Sequence, residues 1–246
     1  IAHKDGTVDW FIDPRKLTEE TKTWLPTEVR IHDLTAFADE LAILARQSKK
    51  VWIDPGSAPI KAQTIVTDNG GTVHAERSPL QLMKALKNKV EIDGTVAAHI
   101  RDGAALTRFL AAISEPAEAA KFTEISASDL LQKFRTENEK FRGLSFDTIS
   151  GAGGNGAVIH YRSTPETDQP LNAGPVYLVD SGAQYLDGTT DVTRAVAVGT
   201  PTAEMKENFT RVLKGHIQVA MAVFPAGTTG DKLDVKARAA LKEVGL

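Results

Sequence analysis

The chain has 246 residues, of which 41% are hydrophobic and 25% charged, a globular balance that excludes disorder and low complexity. A net charge of −3 gives no general attraction to nucleic acid or anionic membrane, and no apolar run approaches the ~18–20 residues of a membrane span. Cysteine is absent, which excludes disulfide scaffolds, zinc–thiolate sites, iron–sulfur clusters and cysteine nucleophiles and fits a reduced, cytoplasmic setting.

Residues 1–88 read as alternating strands and helices. Val8–Ile12 is a short strand after the Asp5-Gly6 turn, and Leu34–Gln47 carries apolar residues at helical spacing behind Asp33, an N-cap. Val51–Ile53 is an apolar run closed by Asp54-Pro55-Gly56. Ile60–Asp68 is open to either helix or strand, and Thr72–Ala75 reads as a strand. This alternation suggests an α/β layer with parallel pairing. From Lys89 the texture becomes α+β. A long helix is expected over Glu91–Ser114, and a capping box of Ser126 and Asp129 is expected to open a charged helix running to Lys140. Strands are expected at Asp147–Ser150, Ala157–Tyr161, Val176–Asp180 and Val192–Val198. A helix from Thr200-Pro201 to Val223 follows, with Pro at its first turn. The chain opens at Ile1 without a signal sequence and closes at Leu246 on a helical pattern, so both ends read as internal breaks.

The segment VYLVDSGAQYLDGTTDVTRAV carries the sharpest chemistry. An apolar run delivers Asp180 to a strand end, the chain turns, and Asp191 enters the next run. Such a hairpin sets both carboxylates on one face, where they repel unless a cation lies between them or one is protonated. Carboxylate oxygens suit a hard divalent ion. The same residues also fit an ordinary hairpin with two turn-forming aspartates, and Asp187 before Gly188 reads as a turn residue. His160 follows the Gly-rich run Gly151–Gly156 and sits in the expected strand Ala157–Tyr161. There it serves either as a proton donor near Asp180 or as a packed sheet histidine. The Gly-rich run lacks the ending of a P-loop. His99 and His216 read as helix-packing residues, and Lys121, Lys133, Arg135, Lys140 and Arg142 as one solvated face. Motifs of zincins, serine hydrolases and EF-hands are missing.

Together these segments, with NGAVIHY, EIDGTVAAHIRDGAAL, TEISASDLLQKFR, FIDPRKL and GTPTAEMKENFTRVLKGHIQVAMAVFPAGTTG, resemble aminopeptidase P, the Xaa-Pro aminopeptidase branch of the pita-bread metallopeptidases. The resemblance implies that residues 1–88 are the C-terminal part of a ribonuclease-H-like, creatinase-type α/β domain. It makes residues 89–246 the first half of a pita-bread catalytic domain. It implies that Asp180 and Asp191 ligate a pair of divalent ions, usually manganese, with Asp191 bridging them, and that His160 contacts the substrate or the tetrahedral intermediate. A hydroxide bridging the two metals then attacks the peptide bond preceding proline. The family site also uses a histidine and two glutamates that no residue after Asp191 matches, so these residues are expected to be a fragment, inactive alone. The substrate is a peptide with proline second, and the resemblance suggests a cytoplasmic homodimer. Two alternatives stand beside this: a prolidase-type dipeptidase, or a non-catalytic pita-bread binding module.

Overall fold

A computed structural model describes residues 1–246 as two compact units, Ile1–Lys87 and Asn88–Leu246. In the first, β1 (Val8–Phe11) pairs in parallel with β2 (Val29–His32), and β3 (Lys50–Ile53) in parallel with β4 (Thr72–Ala75). Parallel neighbours require a crossover, and helices supply it. Within this unit α1 is Glu19–Trp24, α2 Phe37–Arg46, α3 Ile60–Asp68 and α4 Pro79–Ala85. Ile60–Asp68 is thus a helix, burying Ala62 and Val66 on one face. Asp33 caps as expected by accepting from the Thr35 N–H at 2.9 Å, though a 3-10 turn over Leu34–Ala36 precedes α2. The core joins Leu41 and Ala45 of α2 to Ile53, Ala62 and Val66. Gly71 enters β4 so closely that a Cβ would lie 2.8 Å from Ala45 Cα, so any side chain there forces the backbone apart.

In the second unit α5 is Lys89–Ala112, α6 Pro116–Ala119 and α7 Glu124–Thr136. Asn88 and Glu91 form a reciprocal capping box on α5. The box that opens α7 lies three residues before the expected one. Thr123 is its N-cap and Ser126 its partner, because the Ser126 hydroxyl reaches the Thr123 N–H at 2.8 Å. The strands are β5 (Phe141–Leu144), β6 (Ile149–Ala152), β7 (Val176–Ser181), β8 (Ala183–Tyr185), β9 (Gly188–Thr189) and β10 (Val192–Ala197). They form two antiparallel sheets, ordered β10-β7-β6 and β5-β8-β9. One long hairpin runs out through β7 and β8 and returns through β9 and β10. It bends at Gly182, where a Cβ would collide with the Thr190 carbonyl and the Ser145 hydroxyl.

Alternation along β7 decides which face does what. Tyr177, Val179 and Ser181 are buried, whereas Val176, Leu178 and Asp180 are only half-buried. The buried face packs on Leu106 and Phe109 of α5 and Leu131 of α7, with the Phe109 and Tyr177 rings edge to face at 6.5 Å. Truncating Phe109 in such a core costs about 3–5 kcal/mol. Helix α8 (Ala203–Ala220) starts behind Thr202, so Pro201 lies before the cap and not in the first turn. It packs on α9 (Gly230–Lys242) through Gly215, set directly against the Ala237 backbone. His216 is exposed on α8 and His99 exposed on α5, where its Nδ1 is 2.8 Å from the Thr95 carbonyl. No helix is long and apolar enough to cross a membrane.

Candidate metal centre

β7 is the central strand of its sheet, and Asp180 lies near its end with Ile149 on one side and Thr193 on the other. Val192 opposes Ser181, so Asp191 sits one position before β10 begins. Period-two alternation returns Asp191 to the face of Thr193 and Asp180. The two aspartates are therefore diagonal neighbours, a relation that places residues roughly 7–8 Å apart, and not a directly opposed pair. Diagonal spacing leaves room for an ion between the carboxylates where direct opposition would crowd them.

The environment of Asp180 is unusual. Its Oδ1 is buried and has no hydrogen-bond partner. A buried acceptor left unpaired costs about 1–3 kcal/mol, and natural proteins keep few of them. Asp191 is exposed. No group of three or more His, Cys, Asp or Glu residues is arranged to hold a metal. The geometry thus brings two carboxylates near one another, one of them with an oxygen that no donor reaches.

His160 does not lie on a strand. Gly153–Ala157 forms a 3-10 turn, Val158–His160 continues as a bend and turn, and His160 is exposed with φ 56°. The apolar run Ala157–Ile159 has strand-like composition, but Ile159 is 86% exposed and pairs with nothing. Left-handed backbone is uncommon for a residue with a Cβ, and histidine is among the types enriched there. The Gly-rich turn nevertheless packs on β7. Gly156 lies over the half-buried face of β7, its notional Cβ 3.3 Å from that of Leu178, two residues from Asp180.

Beneath this turn lies a carboxylate that sequence reasoning missed. Glu124, first residue of α7, is fully buried. Its Oε1 accepts from the Ala152 N–H at 2.7 Å and from Asn155 Nδ2 at 2.9 Å, and its Oε2 from the Tyr161 hydroxyl at 2.8 Å. Burial, with help from the Glu124 carboxylate, raises the Tyr161 phenol above its ordinary pKa and keeps it a donor. The Glu124 carbonyl accepts from the Ser150 hydroxyl, itself hydrogen-bonded to Tyr177 on β7 at 2.7 Å. An acid in a first helical turn is ordinarily read as a partner for the helix dipole, although Glu124 falls on the stripe it shares with Ala127 and Leu131.

Arg135 overturns the reading of a solvated basic face. It is fully buried, and its guanidinium grips Asp102 of α5 at 2.8 and 3.0 Å, while Tyr185 donates to the same carboxylate at 2.8 Å. The signal was present: Asp102 falls on the buried stripe of α5 with Ala98, Ala105, Leu106 and Phe109. Asp187 occupies its hairpin turn as expected and also anchors it. Hydrogen bonds from Lys140, at 2.9 Å, and from Arg101 hold its carboxyl below the usual range.

Comparison with known proteins follows the same division of the chain. Residues 94–246 match metallopeptidase family M24, and residues 1–91 match a creatinase/prolidase N-terminal domain. A probable Xaa-Pro aminopeptidase P of Laccaria bicolor is 46% identical over 243 residues, covering 96% of this chain and 37% of that protein. Xaa-Pro aminopeptidase 1 of Dictyostelium discoideum is 41% identical over 250 residues, covering all of this chain and 39% of that one. The crystal structure of X-prolyl aminopeptidase from Caenorhabditis elegans, described as a cytosolic enzyme with a di-nuclear active site, superposes with a TM-score of 0.83 at 35% identity. It covers 96% of this chain and 39% of that one. A prolidase from Thermococcus sibiricus, at 22% identity and TM-score 0.70, shares the fold, with 92% of this chain and 61% of that one covered. The chain spans about two-fifths of the length of the curated relatives it matches.

Proposed function

The chain belongs to metallopeptidase family M24, and from that premise we propose that it carries the first part of the catalytic domain of an Xaa-Pro aminopeptidase, which removes the N-terminal residue from peptides with proline in second position. Residues 89–246 are read as the first half of a pita-bread domain. Residues 1–88 are read as the end of a ribonuclease-H-like, creatinase-type domain.

The observation that carries this reading is the buried, unpartnered Oδ1 of Asp180 on the face it shares with Asp191. Without a cation that oxygen is a standing cost, and with one it becomes a ligand. Asp180 and Asp191 would hold two divalent ions, with manganese the choice for oxygen donors, and further ligands would complete the set. When bound, the ions supply Lewis acidity that makes water a nucleophile at neutral pH and polarises the scissile carbonyl. The chain's own residues do the rest. The β7–β10 pairing fixes the spacing of the carboxylates, and the bend at Gly182 sets where β10 begins. His160 touches the substrate beside them as proton donor. A cytoplasmic location and a homodimer belong to the same reading.

Relatives at 41–46% identity bear the aminopeptidase name, which favours that activity over a prolidase's, and the orphaned oxygen favours catalysis over a binding module. The test is manganese-dependent release of the first residue from an Xaa-Pro-Xaa tripeptide by the full-length protein, with an Xaa-Pro dipeptide alongside. The tripeptide is cleaved, and Asp191→Asn abolishes turnover while leaving the circular dichroism spectrum unchanged. Cleavage of the dipeptide alone identifies a prolidase, and wild-type turnover by Asp191→Asn removes that residue from the metal site.

A further inference from the structure

The turn that carries His160 is held at three points by one side chain. Ala152 marks its entry, Asn155 its middle and Tyr161 its exit, and all three donate to the Glu124 carboxylate within 2.7–2.9 Å. Tyr161 is the residue directly after His160, whose left-handed backbone must be stabilised from outside. A carboxylate is an acceptor with room for about four bonds and suits this convergence of donors. Glu124 is itself anchored through its backbone. Its N–H donates to the Gln169 carbonyl at 2.9 Å, and its carbonyl leads through Ser150 to Tyr177, three residues before Asp180. One buried residue is therefore bonded directly to the turn of His160 and, through Ser150, to the strand of Asp180.

We propose that Glu124 is a positioning residue for the reaction: its carboxylate clamps the turn 152–161 and so fixes His160 relative to Asp180. This rests on the role given to His160 above. Glu124 contacts no substrate, and it acts by holding a loop of glycines that has little rigidity of its own.

Two measurements on the full-length, manganese-loaded enzyme test it. The first is amide hydrogen exchange over residues 152–161 in Glu124→Gln and in Tyr161→Phe, the second variant guarding against a fold lost by the first. Both substitutions speed exchange in the turn while β7 stays protected, whereas unchanged exchange in the turn overturns the clamp. The second is a double-mutant cycle with His160→Ala. Glu124→Gln lowers kcat about tenfold with KM little changed, within the ~100-fold that a misplacement of about 1 Å can cost. On the His160→Ala background that loss disappears, because the two residues act as one unit. An equal loss on both backgrounds overturns the positioning role and leaves Glu124 a structural residue. Full activity of His160→Ala alone refutes the role of His160, while the exchange experiment still decides the clamp.

Discussion

Asp9 in the first unit and Asp180 in the second both lie on short strands of small sheets, and the protein treats them in opposite ways. Asp9 is 7% exposed and is hydrogen-bonded by His3 at 2.6 Å, by Arg30 at 2.7 and 3.1 Å and by His32 at 2.8 Å. Asp180 has a buried oxygen that nothing in the chain reaches. A carboxylate that a fold uses for stability is surrounded by donors, as Asp9 and Asp102 are. On the proposed metal reading, the one that the fold leaves bare is kept for a ligand, and its lack of donors sets it apart from Asp9 and Asp102.

The largest effect that sharpens this contrast is expected at Asp180. In the full-length enzyme Asp180→Asn lowers kcat/KM at least about a thousandfold, the several kcal/mol that a bound metal supplies to a transition state. The same change leaves the melting temperature of the metal-free protein unchanged or raises it, because it removes a charge on a half-buried carboxylate whose buried oxygen had no partner. A marked loss of metal-free stability would falsify the view that Asp180 is bare by design.

How far the residues alone led depends on whether the determining contact is local. β7 and β10 were legible because period-two alternation and the Asp187-Gly188 turn are written in neighbouring residues, and the registry that places Asp180 near Asp191 follows from them. Helix α5 was legible within two residues at each end, from its apolar spacing. The place of His160 was not. Ala157–Ile159 looks like a strand but pairs with none, and the residues flanking it, Asn155 and Tyr161, are hydrogen-bonded to Glu124, nearly forty positions upstream. Arg135 lies on the buried stripe of α7 with Ala127 and Leu131, but its charge reads as solvated because its partner Asp102 lies 33 residues away on α5. The diagonal, not opposed, setting of the two aspartates depends on the bend at Gly182, which only the packing of Thr190 and Ser145 defines.

A second effect, smaller than the first, asks whether the contrast follows the donor set or merely the unit. Asp102 shares a unit with Asp180 but resembles Asp9 in its partners. Asp102→Ala strands the Arg135 guanidinium, fully buried and already carrying one unpaired Nη1. The cost is about 3 kcal/mol, the lower end of what breaking a buried pair costs. All three tyrosines fall in Asn88–Leu246, so the urea midpoint of the tyrosine signal reads this unit. A shift below about 1 kcal/mol contradicts the assignment of Asp102 to structure.

The smallest effect belongs to Asp9 and works through pH. Burial alone would raise the Asp9 carboxyl, but the hydrogen bonds from His3, Arg30 and His32 outweigh it and hold the group far below the usual carboxylate range. A folded-state pKa below the unfolded value of about 3.9 means that the contribution is complete above that pH. It is lost as pH falls through the depressed value. The first unit, which contains all three tryptophans, therefore loses stability by tryptophan fluorescence between about pH 5 and pH 2. Asp9→Asn costs about 2 kcal/mol at neutral pH, the scale of hydrogen bonds to a charged group, and flattens that acid limb because the titrating group is gone. Peptidase turnover per folded molecule stays at the wild-type level, the reverse of Asp180→Asn. An acid limb as steep in Asp9→Asn as in the wild type would assign the pH dependence to other carboxylates and reduce Asp9 to an ordinary surface-edge acid.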